Sequence, residues 1–187
     1  MKDINVFIDR LKEKYAPVLL DRVEKLFASD DLAVKCEMAT ELLITLPFEI
    51  VSDYHEWGFE DIKAGGRERL YKDREGHNGM SGKAVASHYD PAAPKTADER
   101  FDYFKGITIV FPYMLMAGHH RWLFEGVEGA KDYNDFMAKF KDVSCAKYEP
   151  LLKAAYEGKA DLCETYKAQA AEHPFDLLKN YYNWVNE

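Results

Sequence analysis

Cysteine is scarce in this chain. Its 187 residues hold three, Cys36, Cys145 and Cys163, with no CxxC pair. An odd, widely spaced set excludes a disulfide framework or a cysteine-rich zinc site as the organising principle and favours a reducing compartment. Long apolar runs are missing too. The longest, about a dozen residues from Ile107 to Gly118, falls short of the ~20 a bilayer-spanning helix needs. The N-terminal "MKDINVFIDRLKEKY" opens as an amphipathic helix, without a basic region followed by an apolar one, so no signal peptide is expected and a cytoplasmic location is. Excess positive charge is absent: 25 Lys and Arg face 33 Asp and Glu, a net charge of −8. That argues against nucleic acid and anionic membranes as partners and leaves a basic protein partner, a cation or plain solubility.

Several catalytic signatures are absent as well. No glycine-rich turn follows a predicted strand, which sets aside dinucleotide-binding and P-loop folds; "GMSGKA" at 79–84 lacks the required spacing. There is no GxSxG nucleophile elbow, no CxxCH haem attachment and no paired ExxH of di-iron bundles.

Helical periodicity is what remains. Ile4, Phe7, Ile8 and Leu11 form one apolar stripe, after which Pro17 is expected to interrupt and a short second helix to follow. Ser29 reads as an N-cap with Asp30 and Asp31 in the first turn. The next helix is predicted to run to about Trp57, with Ala39, Leu43, Leu46, Ile50, Tyr54 and Trp57 inward, a kink or break at Pro47 and Gly58 as terminator. Residues 59–96 hold five glycines and two prolines and read as a flexible or ligand-covering insertion. Thr96 and Glu99 make a capping box. The helix it opens leads into "GITIVFPYMLMAGHHRWLFEG", predicted as a central buried helix because apolar residues lie on every side from 107 to 117. Shorter helices are expected at about 131–142, 150–157, 160–172 and 175–185, with Pro150 and Pro174 as helix starts. No signature residues recur at a fixed period, so a helical repeat is not expected. The expectation is an all-α, single-domain bundle of seven to nine helices spanning 1–187.

Histidine marks the candidate chemistry. His119 and His120 are adjacent, so they point about 100° apart, and neither has a carboxylate or histidine three or four residues away on its own helix. Any partner must come from another helix. The best segment is "FEIVSDYHEWGFED", where His55, Glu56 and Glu60 sit beside a carboxylate series that includes Glu41, Glu49 and Asp53. Packing of that helix against the one carrying His119 and His120 would bring imidazoles and a carboxylate together, as bundles do for metals.

The expected metal set is therefore His55, Glu56, Glu60, His119 and His120, for a divalent transition metal. The candidate acid/base residues are His55, Glu56 and His120. Tyr113, Met116 and Trp122 are candidate cofactor-lining residues, with core packing as the plainer role. "GHHRW" at 118–122 resembles the HHRG element of DinB-like metal-binding four-helix bundles, which also carry an earlier histidine, here near His55; that resemblance implies histidine ligation of a metal. Met116 stands where that pattern has a further histidine.

The functional expectation is a small-molecule- or metal-binding bundle, an enzyme or not, with its site between 48–61 and 107–126. The alternative is a non-catalytic acidic binding module of the inhibitor, immunity or adaptor kind. It would use the 41–60 carboxylate face and the aromatic C-terminal "FDLLKNYYNWVNE". A homo-oligomer is compatible with both.

Overall fold

A computed structural model describes residues 3–59, 96, 98–99, 102, 105–106, 111–158 and 162–187. Within them the chain is helical, with no strand. Six α-helices follow in order: α1 (Ile4–Ala28), α2 (Leu32–Thr40), α3 (Leu46–Phe59), α4 (Phe111–Leu123), α5 (Tyr133–Gly158) and α6 (Leu162–Asn186). Glu60, "GMSGKA" and the body of the 59–96 insertion lie outside the described residues. The Thr96 capping box forms as expected: Thr96 N–H donates to Glu99 Oε2 at 2.7 Å and Glu99 N–H to Thr96 Oγ1 at 3.2 Å. No helix among the described residues is long and apolar enough to cross a membrane.

Proline is where the observed helices depart from expectation. Pro17 lies inside the 25-residue α1 and does not interrupt it. Pro150 and Pro174 lie inside α5 and α6, so the four short helices expected after residue 130 are two long ones. Proline removes one backbone hydrogen bond and crowds the carbonyl four residues back. In a long helix anchored along a buried face, packing outweighs that local loss. Pro47 has a structural signature. The turn before it, Glu41–Thr45, is widened, with Leu46 N–H reaching back five residues to the Glu41 carbonyl. The extra residue makes room for the proline ring without ending the helix. Ser29 is also placed differently. It is the C-cap of α1, its N–H on the Lys25 carbonyl, while Asp31 caps α2 by accepting from Ala33 N–H at 2.8 Å.

The prolines also reveal a repeat that a search at fixed period misses. All three tryptophans of the chain follow a proline by ten residues: Pro47–Trp57, Pro112–Trp122 and Pro174–Trp184. Between them the same positions agree. An aromatic comes one residue after the proline (Phe48, Tyr113, Phe175), an apolar pair at three and four, and a ring at seven (Tyr54, His119, Tyr181). All these residues are buried. Spaced at one, four and seven, they share one helix face.

The three faces meet. Ring centroids of Tyr54 and His119 are 6.2 Å apart, Tyr54 and Tyr181 6.1 Å, and His119 and Tyr181 6.5 Å. One turn earlier, Ile50 and Val51, Leu115 and Met116, and Leu177 and Leu178 also converge. Two matching levels in the same order mean that α3, α4 and α6 run parallel about a pseudo-threefold axis. Helix α1 packs along α6 and α3, and α5 along α6 and α4. Each large ring fully buried in this way contributes roughly 1.5–3 kcal/mol relative to exposure.

Candidate functional site

His119 and His120 take different surroundings because they leave α4 in different directions. His119 is buried on the axis, between Tyr54 of α3, Tyr181 of α6 and Trp122 one turn along its own helix. His120 points between α6 and the turn that leads into α5. Its Nδ1 lies 2.8 Å from Tyr181 Oη and its Nε2 2.8 Å from the Lys131 carbonyl oxygen. A carbonyl can only accept, so Nε2 carries the proton and Nδ1 accepts from the tyrosine hydroxyl. Burial lowers the imidazole pKa, with the Lys131 carbonyl acting in the opposite sense. The neutral ring is thus fixed in one tautomer, and both nitrogens are engaged.

The turn that supplies Lys131 is built by two glycines. Gly126 and Gly129 both have φ of 76°, the left-handed region that only glycine adopts without strain. They stop α4 and return the chain so that Lys131 can bridge to the Trp184 carbonyl, with its ammonium 5.4 Å from the Trp184 ring centre. Asp132 then caps α5, accepting from Asn134 N–H at 3.0 Å. Between the turn and α4 lies a pocket of about 390 Å³, lined in part by His120, Arg121, Glu125, Lys131, Asp132 and Asn134. Its floor is apolar, from Ala117, Phe124 and Tyr133. Arg121 is exposed at its edge.

The other candidates are placed as follows. Tyr113 is buried, its hydroxyl donating to the Phe140 carbonyl at 2.8 Å and lying 2.6 Å from Ser144 Oγ. Met116 and Trp122 are buried in the same core. These three candidate cofactor residues are packing elements of the α4 interfaces. Glu56 is exposed on the opposite side of α3 from Tyr54. With Phe7, Arg10, Lys14, Asp53 and Trp57 it lines an open groove of about 350 Å³ against α1. That groove and the pocket beside His120 share no lining residue. His55 lies on α3, with its side chain outside the described set, as is the whole of Glu60. Among the described residues no group of three or more His, Cys, Asp and Glu stands close enough to hold a metal ion. The half-buried Cys145 thiol is pushed up by burial, which does not favour a nucleophile.

Two members of the carboxylate series are paired within the molecule. Asp53 accepts from Lys14 Nζ and from Tyr15 Oη, both at 2.6 Å, and Glu41 pairs with Arg22. The C-terminal aromatics are likewise turned inward: Phe175, Tyr181, Tyr182 and Trp184 are all buried.

Sequence reasoning missed Tyr181 and Lys131, the partners that decide what His120 does. The Pro-to-Trp spacing was the available signal for Tyr181, since it aligns that residue with His119 and Tyr54. Compared with known proteins, the chain matches no family model, no curated protein and no solved structure, so its likeness to DinB-like bundles rests on "GHHRW" and the rough spacing of His55.

Proposed function

We propose that this protein is a small-molecule-binding helical bundle whose ligand occupies the pocket between α4 and the 124–134 turn. The observation that carries the reading is the pocket itself: about 390 Å³, floored by apolar side chains and rimmed by Arg121, Glu125, Lys131, Asp132 and Asn134. That volume and that mixture of apolar floor with a few convergent polar groups suit a small organic ligand. Arg121 offers a planar fork of donors to a carboxylate or phosphate, and Glu125 and Asp132, which line the same pocket, suit an amine or hydroxyl. The ligand is therefore a small polar molecule with at least one anionic group. His120 shapes the wall, its ring held by Tyr181 and Lys131.

Ligand-observed NMR with a panel of small carboxylates, phosphates and amino acids tests this. A binder is expected to shift the amides of Ala117, Ala130 and Asn134, and Arg121→Ala is expected to weaken it at least tenfold. Binders that map elsewhere, or that ignore Arg121→Ala, would overturn the assignment.

A further inference from the structure

The pseudo-threefold axis holds a second, different cavity. It is lined by Pro47, Ile50 and Val51 of α3, Pro112, Leu115 and Met116 of α4, and Pro174, Leu177 and Leu178 of α6. These are the same three repeat positions taken once from each helix. No polar side chain contributes. The room open to the centre of a water-sized body is about 30 Å³. That is room for at least one water-sized body, and so for a small molecule of a few heavy atoms.

Its origin lies in the repeat. Proline rings at one level on three parallel helices line the cavity. The side chains one turn later, isoleucine, valine, leucine and methionine, close the space from below. The prolines are only partly buried and form the mouth, whereas the six residues behind them are buried. Water gains nothing there, because it needs two to four polar partners and the wall offers none. An apolar body would recover dispersion contacts that the cavity wall otherwise lacks.

We infer that the proline-collared cavity on the pseudo-threefold axis is a binding site for a small apolar molecule, the class to which dioxygen belongs. This site is separate from the polar pocket beside His120 and shares no lining residue with it.

Methyl NMR of the full chain under xenon tests the inference, with dissolved dioxygen as a second probe. Xenon is expected to shift the methyls of Ile50, Val51, Leu115, Met116, Leu177 and Leu178 saturably. Paramagnetic dioxygen should relax those methyls several-fold more than the equally buried methyls of Leu26 and Leu123. Val51→Ile, which narrows the space by one carbon, should reduce the xenon shift at equal pressure. Leu177→Phe should abolish it, and the conservative Val51→Ile keeps the test valid if the larger change disturbs folding. Absence of a saturable shift at the lining methyls, or a Val51→Ile response equal to that of the native chain, would overturn the site.

Discussion

The first and last helix pairs solve the same problem with different spacings. In α1 and α3, Lys14 and Tyr15 clasp Asp53 at 2.6 Å each. In α5 and α6, Lys147 and Tyr148 clasp Asp176 at 2.7 and 2.9 Å. In both pairs the lysine ammonium lies 4.8 Å from the centre of the neighbouring tyrosine ring, and a proline follows that tyrosine by two residues. At the other end of each pair a phenylalanine meets the repeat tryptophan, Phe7 on Trp57 at 4.2 Å and Phe136 on Trp184 at 5.5 Å. Phe7 precedes Tyr15 by eight residues, but Phe136 precedes Tyr148 by twelve. Asp53 precedes Trp57 by four, but Asp176 precedes Trp184 by eight. One pair is longer than the other by a single helical turn in both of its helices, so the clasp and the aromatic contact stay in register.

The burial of the two tryptophans differs, and so should the cost of losing them. Trp184 is 5% exposed and sits among His120, Tyr133, Phe136 and Tyr181, whereas Trp57 is half-buried at a groove. Trp184→Ala is expected to cost about 3–5 kcal/mol, the range for large aromatic truncations in cores. Trp57→Ala should cost less than half of that. Urea denaturation of the two variants measures both, and equal losses would contradict the asymmetry.

His173 breaks the repeat at the position where Leu46 and Phe111 stand. It is 1% exposed, against the Tyr148 and Tyr113 rings, and neither ring nitrogen has a hydrogen-bond partner among the described residues. Burial pushes its pKa down to about 4, while nearby Asp176 raises it and Lys147 lowers it. The unfolded chain therefore takes up this proton first. Stability should fall as pH drops from about 6.5 towards 4 and level off below, by up to about 3 kcal/mol. His173→Leu, which restores the repeat, should remove that slope in a pH series of urea melts.

The two clasps can be cut separately. Asp53 is more enclosed than Asp176, at 16% against 38% side-chain exposure. Asp53→Asn is expected to cost about 1–2 kcal/mol, as for hydrogen bonds to a charged group, and Asp176→Asn less. Burial opposes ionisation of Asp176, but the bonds from Lys147 and Tyr148 prevail and hold its pKa below the usual value. Its contribution is accordingly present at neutral pH and fades only as pH falls through that lowered value, a more acidic window than that of His173. Thermal melts at pH 7, about pH 4.5 and about pH 2.5 separate the two, because most of the His173 loss precedes that of Asp176. The smallest effect is expected at the exposed prolines. Pro17→Ala and Pro150→Ala should each change stability by no more than about 1 kcal/mol, towards greater stability, because an alanine restores the missing backbone donor. A loss of several kcal/mol at either would mean that the ring itself is needed.

How much of this was legible beforehand follows from the range of each interaction. The all-helical class, the apolar stripe of α1 and the Thr96 capping box were readable because they depend on residues within one or two turns of each other. So was the question asked of His119 and His120, that their partners must come from another helix. The α4 segment is helical as expected but not buried on every side, since Met114 is 61% exposed. Proline misled the boundaries. Its local cost is real, but whether a helix ends there depends on the burial of the faces on either side. The repeat stayed hidden because its copies begin at Pro47, Pro112 and Pro174, 65 and 62 residues apart, which a fixed period does not match. Local chemistry in the sequence determined that this chain makes amphipathic helices and where several are capped. Only the tertiary structure decided that three of them meet in parallel, that His119 faces Tyr54 and Tyr181, and that the Lys131 carbonyl completes the hold on His120. Those choices rest on side chains as far apart in sequence as Tyr54 and Tyr181, whose contact no local preference encodes.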